Sequence, residues 1–141
     1  MRTLITLFIT ALIFTSCDET KKVIDAAGNV QLSGNYTVTD IGENAVSSNA
    51  PTITFYALDK SVRGNTGCNS FFGNYVLDLY ALSFYDIAST EMACDEPIMT
   101  NENQFLDALR KTGSYAIDEN ILTLYSKNDR SVLLKAFKET K

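Results

Sequence analysis

The side chains able to do chemistry are few, and one type is missing: the chain carries cysteines at 17, 68 and 94 and seventeen acids, but no histidine. Without an imidazole, Ser-His and Cys-His nucleophile activation has no base, and the commonest zinc and iron sites lose their usual ligand. The acid pairs Asp95-Glu96 and Asp118-Glu119 are the candidates for glycoside chemistry. That reaction needs two carboxylates held across a cleft, whereas adjacent acids in polar stretches are ordinarily solvated turn residues. Residues 91–96 offer oxygen ligands for a hard cation but lack calcium-loop spacing. Gly64, Gly67 and Gly73, interleaved with Asn65, Asn69 and Asn74, would suit a phosphate cradle only if a Lys and a helix start followed them. Neither does, and the same residues serve tight turns, bulges and close backbone approach. With no C-x-x-C either, redox catalysis is set aside. The expectation is a protein without catalytic, metal or cofactor sites, and so not an enzyme.

Cys17 stands in a different context. Arg2 provides a positive start, residues 4–14 are largely apolar, and Thr15-Ser16 lead into Cys17. The apolar run is shorter than the roughly 20 residues of a membrane-spanning helix, which is the pattern of a secretory signal. Phe14-Thr15-Ser16-Cys17 also resembles a bacterial lipobox. That resemblance implies a signal peptide over residues 1–16, cleaved before Cys17, which then carries the lipid (palmitate and related acyl chains). Several chains on one residue anchor stably, since each buried methylene contributes about 0.8 kcal/mol. The expected address is the bacterial cell envelope, at the outer membrane, with the membrane itself as a partner. Residues 17–30 are polar, charged or small without a sustained period, and read as a flexible tether.

Beyond the tether, composition and pattern indicate one domain. Hydrophobic residues make up 45% of the chain, with eight Phe and seven Tyr, enough for a core, and charged residues at 21% argue against a disordered polyelectrolyte. The formal charge of −5 becomes one unit more negative once Arg2 is removed. Such a chain offers no clustered basic surface, so nucleic acid is excluded as a partner. Leu32, Gly34, Tyr36 and Val38 alternate with polar residues, and Ile53, Phe55 and Ala57 repeat the pattern of a half-buried strand. Residues 75–87 can hold two strands turning near Asp78 and Ala81, and the apolar stretches 121–125 and 132–137 predict a terminal hairpin. One helix is expected, with Thr100 as N-cap, Glu102 in the first turn, a stripe of Phe105, Leu106 and Leu109, and Arg110-Lys111 before Gly113. This order predicts an α+β fold whose antiparallel β-sheet curls into a partial barrel around one main α-helix.

Two stretches in the middle carry a resemblance. Gly64-Asn65-Thr66-Gly67-Cys68-Asn69-Ser70-Phe71-Phe72-Gly73-Asn74-Tyr75, followed by Thr90-Glu91-Met92-Ala93-Cys94, resembles the two signature motifs of the META domain family, which includes HslJ-like heat-shock lipoproteins. The motif positions are Gly67, Cys68, Asn69, Gly73, Thr90, Met92, Ala93 and Cys94, and the supporting strands and helix fall in the family's order over residues 31–138. Tyr36 stands where the family often has Trp, and the turns at Leu79-Tyr80 and Asn128-Asp129 lack the usual glycines. The resemblance implies a noncatalytic envelope lipoprotein acting in stress response through protein or envelope contacts. The alternative is a binding module that holds an apolar or lipid-like ligand in the half-barrel. If Cys17 is lipidated, Cys68 and Cys94 remain as an even pair, which in an oxidising envelope suggests a disulfide. Two buried free thiols are the other reading.

Overall fold

The computed structural model describes residues 17–140, with side chains from residue 20 onward; the expected signal peptide lies outside the described residues. Helix α1 (Cys17–Leu32) leads into β1 (Gly34–Ile41), β2 (Asn44–Ala45), β3 (Thr52–Tyr56), β4 (Ser61–Asn65), β5 (Ser70–Asp78) and β6 (Ala81–Ser89). Helix α2 (Glu96–Lys111) follows, then β7 (Thr112–Asp118), β8 (Ile121–Ser126) and β9 (Val132–Lys138). The α+β class holds, but the sheet is a closed barrel and not a partial one. The order β1-β3-β4-β5-β6-β7-β8-β9 returns to β1, with β2 as an extra strand beside it. Closure comes from β9, which sets Ala136 opposite Val38 and Leu134 opposite Ile41. Pairing both flanks of β1 leaves no open edge in the ring, which a partial barrel would have to protect.

The strands form where apolar residues alternate, because alternate side chains share one face. Phe71, Tyr75 and Leu77 of β5 point inward while Phe72, Asn74 and Val76 point out. In β1 the parity changes: the register slips between Val38 and Asp40, so Val38 and Ile41 are both buried. A bulge is the simplest way to turn a side chain from one face to the other without ending the strand. Rings fill the interior. Phe55 meets Tyr36, Tyr75 and Phe84 at centroid distances of 5.7, 5.5 and 6.0 Å, and burying each such side chain contributes roughly 2–3 kcal/mol. The interior is therefore lined and filled by the protein's own side chains.

Both ends are closed by helices. Helix α2 spans the end where the β4–β5 and β6–α2 loops lie, burying Phe105 and Leu109 completely and setting Phe105 against Phe71 at 5.2 Å. It begins a turn earlier than expected, with Asp95 at the N-cap and Pro97 in its first two positions, so Thr100 lies inside it. Proline fits there because its missing N–H would have no partner anyway.

The opposite end is covered by α1, where a tether was expected over residues 17–30. The helix is held by contacts that recur on one face. Leu32 is fully buried, Asp25 accepts from the Leu79 backbone N–H at 2.8 Å, and Lys21 pairs with Asp78 at 3.0 Å. The Asp25 bond explains how a turn without glycine survives, since Leu79 has φ +58°. A left-handed leucine costs about 1–2 kcal/mol, and a partner on its N–H helps to offset that.

Tyr36 links the same end to the core. It is wholly buried, and its hydroxyl donates to the Leu32 carbonyl at 3.0 Å. Burial, with a smaller contribution from Tyr115, pushes its hydroxyl up from the ordinary 10.0 to about 12. Burial likewise raises Tyr75 and Tyr115. The unfolded chain ionises its tyrosines at about pH 10, while the native state keeps Tyr36 neutral to about pH 12, so the unfolded state loses protons first. Stability is thus whole below about pH 10 and falls as pH rises from there to about 12, by roughly 2–3 kcal/mol for Tyr36 alone. Urea midpoints measured across this range should fall for the native sequence and fall less for Tyr36→Phe; equal slopes would contradict the assignment.

Candidate functional site

The two motif stretches meet at the α2 end of the barrel. Residues 66–69 form the β4–β5 loop and residues 90–95 the link from β6 to α2. The first loop folds on itself: the Thr66 N–H donates to the Asn69 carbonyl at 2.7 Å, and Asn65 Oδ1 accepts from the Gly67 N–H at 2.7 Å. Gly67 has φ +99°, and a Cβ there would lie 2.5 Å from the Asn49 carbonyl oxygen, so this turn requires glycine. Gly64 has a different duty. A Cβ on it would stand 1.9 Å from the Thr52 carbonyl oxygen, so its bare backbone lets β3 and β4 approach under the Phe71 ring.

At the centre is a buried carboxylate. Glu102 is 5% exposed and faces inward from α2. It accepts from the Thr66 hydroxyl, from the Asn69 N–H at 3.2 Å, and from Asn69 Nδ2 at 2.9 and 3.0 Å. The other side of the Asn69 amide pairs with the Met92 backbone: Oδ1 accepts from the Met92 N–H at 2.7 Å, and Nδ2 donates to the Met92 carbonyl at 3.2 Å. Asn69 Oδ1 also accepts from the Thr90 hydroxyl at 2.8 Å. A side-chain amide has two donors and two acceptor positions, and Asn69 uses all of them. One residue thereby ties the β4–β5 loop, the second motif and α2 together. Cys68 and Cys94 bridge the same two loops with their Cα atoms 6.1 Å apart, inside the usual disulfide range. Of the two readings of this pair, the structure has the disulfide.

The polar groups of the knot are donors and acceptors to one another, and no basic side chain pairs with Glu102 among the described residues. Beside it opens a groove of about 400 Å³ walled by Thr90, Met92, Met99, Asn103, Leu106 and Arg110. The acid pairs stand elsewhere. Asp95-Glu96 start α2 at this end, Asp118-Glu119 turn between β7 and β8 at the other, and all four are exposed. Among the described residues no group of three or more His, Cys, Asp or Glu gathers around a common point. Cys17, the expected lipid carrier, is the first residue of α1, away from the knot. Of the motif positions, Cys68, Asn69, Thr90, Met92 and Cys94 meet in the knot, Gly67 shapes the loop that enters it, and Gly73 is buried further along β5.

A family model for the META domain matches residues 29–139. The chain belongs to the META domain family. Both motif loops, the disulfide and Glu102 fall inside the matched META segment, whereas most of α1 precedes it. Solved structures share the fold. A protein from Burkholderia xenovorans determined by NMR superposes with a TM-score of 0.67 at 23% identity, over 82% of this chain and 89% of its own. A second NMR structure gives 0.63 at 23% identity, over 78% and 93% of the two chains. A crystal structure of a DUF4847 family protein from Bacteroides vulgatus gives 0.59 at 16% identity, over 82% and 99%. No curated protein matches the chain.

Sequence reading placed Glu102 in a helix first turn and so missed its role in the META knot. A signal was present: Glu102 precedes Phe105, Leu106 and Leu109 by three, four and seven residues, the spacing of one helix face. An acid on the apolar face of a helix has to find donors, and the motif loops supply them.

Proposed function

We propose that this META-domain protein is a noncatalytic lipoprotein of the bacterial cell envelope, anchored through Cys17 and acting in stress tolerance by contacts with other envelope components. The observation that carries this reading is the bond between Cys68 and Cys94. Structural disulfides persist in oxidising compartments, and this one uses two of three cysteines, leaving Cys17 directly after the signal-like segment. The noncatalytic part is supported by the knot, whose conspicuous polar residues bond to each other. A general acid or base would need a free, accessible atom there. Family membership informs fold more than activity.

Metabolic labelling with a fatty acid tests the anchor. The native precursor should take up label and Cys17→Ser should not; label persisting in Cys17→Ser would overturn the reading. A deletion strain should lose fitness under heat or envelope stress, and unchanged growth would remove the stress role.

A further inference from the structure

We propose that the barrel end closed by α1 is a membrane-docking face, with the outward stripe of α1 and the neighbouring turn tips resting in the headgroup and acyl boundary of the bilayer. The proposal rests on the reading of Cys17 as the lipid carrier. Lys21, Asp25 and Leu32 engage the barrel, so the opposite face of α1 points away from the protein. That face carries Val23, Ala26, Ala27 and Val30, all exposed, with Val23 at 68% and Val30 at 72%. Their spacing of three, four and seven residues makes one continuous apolar stripe. Of the three strand turns at this end, two carry exposed apolar tips, Leu58 between β3 and β4 and Tyr80 between β5 and β6, while the third carries the exposed acids Asp118-Glu119, which stay at headgroup level. Tyrosine is enriched at membrane interfaces, where its ring and hydroxyl suit the two phases.

The bilayer is the occupant because of where the chain outside the described residues ends. At the N-terminal side that chain ends at residue 16, and α1 begins at Cys17 with no spacer. At 1.5 Å per residue, Val23 and Val30 lie about 9 and about 20 Å along the helix from the anchor, so acyl chains inserted at Cys17 bring the stripe to the membrane surface. No described helix is long and apolar enough to cross a membrane, and an apolar stripe confined to one face of α1 suits a helix lying in the interfacial plane. The formal charge of −5 becomes one unit more negative once Arg2 is cleaved off, so attraction to anionic headgroups does not drive the contact, and docking depends on apolar burial and little on salt. The consequence is orientation: the knot, the disulfide and the groove at the far end face away from the membrane, open to other envelope components.

The chain has no tryptophan, so one introduced indole reports its own surroundings. Lipidated Val30→Trp, Leu58→Trp and Phe72→Trp proteins would each be reconstituted in phosphatidylethanolamine and phosphatidylglycerol vesicles with brominated acyl chains. Positions 30 and 58 should show blue-shifted, quenched emission. Position 72, exposed on the barrel flank and six residues up β5 from the docked end, about 20 Å away, should emit as in water. Adding Val23→Glu to Val30→Trp should restore water-like emission without disturbing the fold, because position 23 is exposed. Protein that floats with the vesicles but shows water-like emission at 30 and 58 keeps its anchor and overturns the docking face. Equal quenching at 72 overturns it as well, since no face is then selected. Protein that fails to float overturns the lipid-anchor reading and docking with it.

Discussion

Asn69→Ala is expected to lower the stability of the oxidised protein by about 4 kcal/mol, at the upper end of single-residue effects. Among the described residues the amide is the only side chain that bonds both to the buried Glu102 carboxylate and to the Met92 backbone. Its removal leaves Glu102 with the Thr66 hydroxyl and the residue 69 N–H as partners, inside a site where water has little access. Hydrogen bonds to charged groups contribute roughly 1.5–3 kcal/mol each, and a buried polar atom left without a partner costs its full desolvation. Asn69→Asp keeps the shape but sets a second carboxylate against the first, so the loss should be as large, with repulsion replacing the missing donor. Urea unfolding of the oxidised proteins measures both. A change under about 1 kcal/mol in both variants would mean the knot is not a stabilising element.

The second large effect concerns the bridge. Cys68 and Cys94 are separated by 26 residues, and closing a loop of that size removes enough unfolded-state entropy to stabilise the fold by about 3.5 kcal/mol in the chain-entropy model. For a domain of this length that corresponds to a fall of roughly 14 °C in Tm on reduction. Scanning calorimetry with and without reductant reads it directly, and an unchanged Tm would show that the bridge constrains nothing the fold does not already hold. Because Asn69 and the disulfide secure the same pair of loops, their effects should overlap. Asn69→Ala in the reduced protein is expected to cost less than the sum of the two separate losses, the behaviour of neighbours that share partners. Simple additivity would mean that loops and helix are fixed independently.

Much of the barrel was legible because its strands obey a local rule. The alternation through Tyr36 and Val38, the paired stretches around Leu79-Tyr80, and the terminal hairpin from Ile121 all correspond to strands. Strands β4 and β7 were not read. Their burial patterns place one fully inward apolar side chain each, Val62 and Tyr115, too few for a periodic signal. Helix α1 escaped for a related reason. Its barrel-facing residues include Lys21, Asp25 and Asn29 beside Leu32, so the buried face carries more polar than apolar side chains and gives no hydrophobic period.

The amino-acid order by itself determined the element types, the two motifs, the family and the even cysteine pair, since each depends on neighbours within a few residues or on short strings. Tertiary structure alone decided that the sheet closes, that residues 17–32 cover one end, that Cys68 and Cys94 are bonded, and that Glu102 is the acceptor at the centre of the knot. Ring closure joins Val38 to Ala136, and the knot joins Asn69 to Glu102 across 33 residues. Partners so distant are chosen by how the whole chain packs, because a buried acceptor is stable only where the fold delivers its donors.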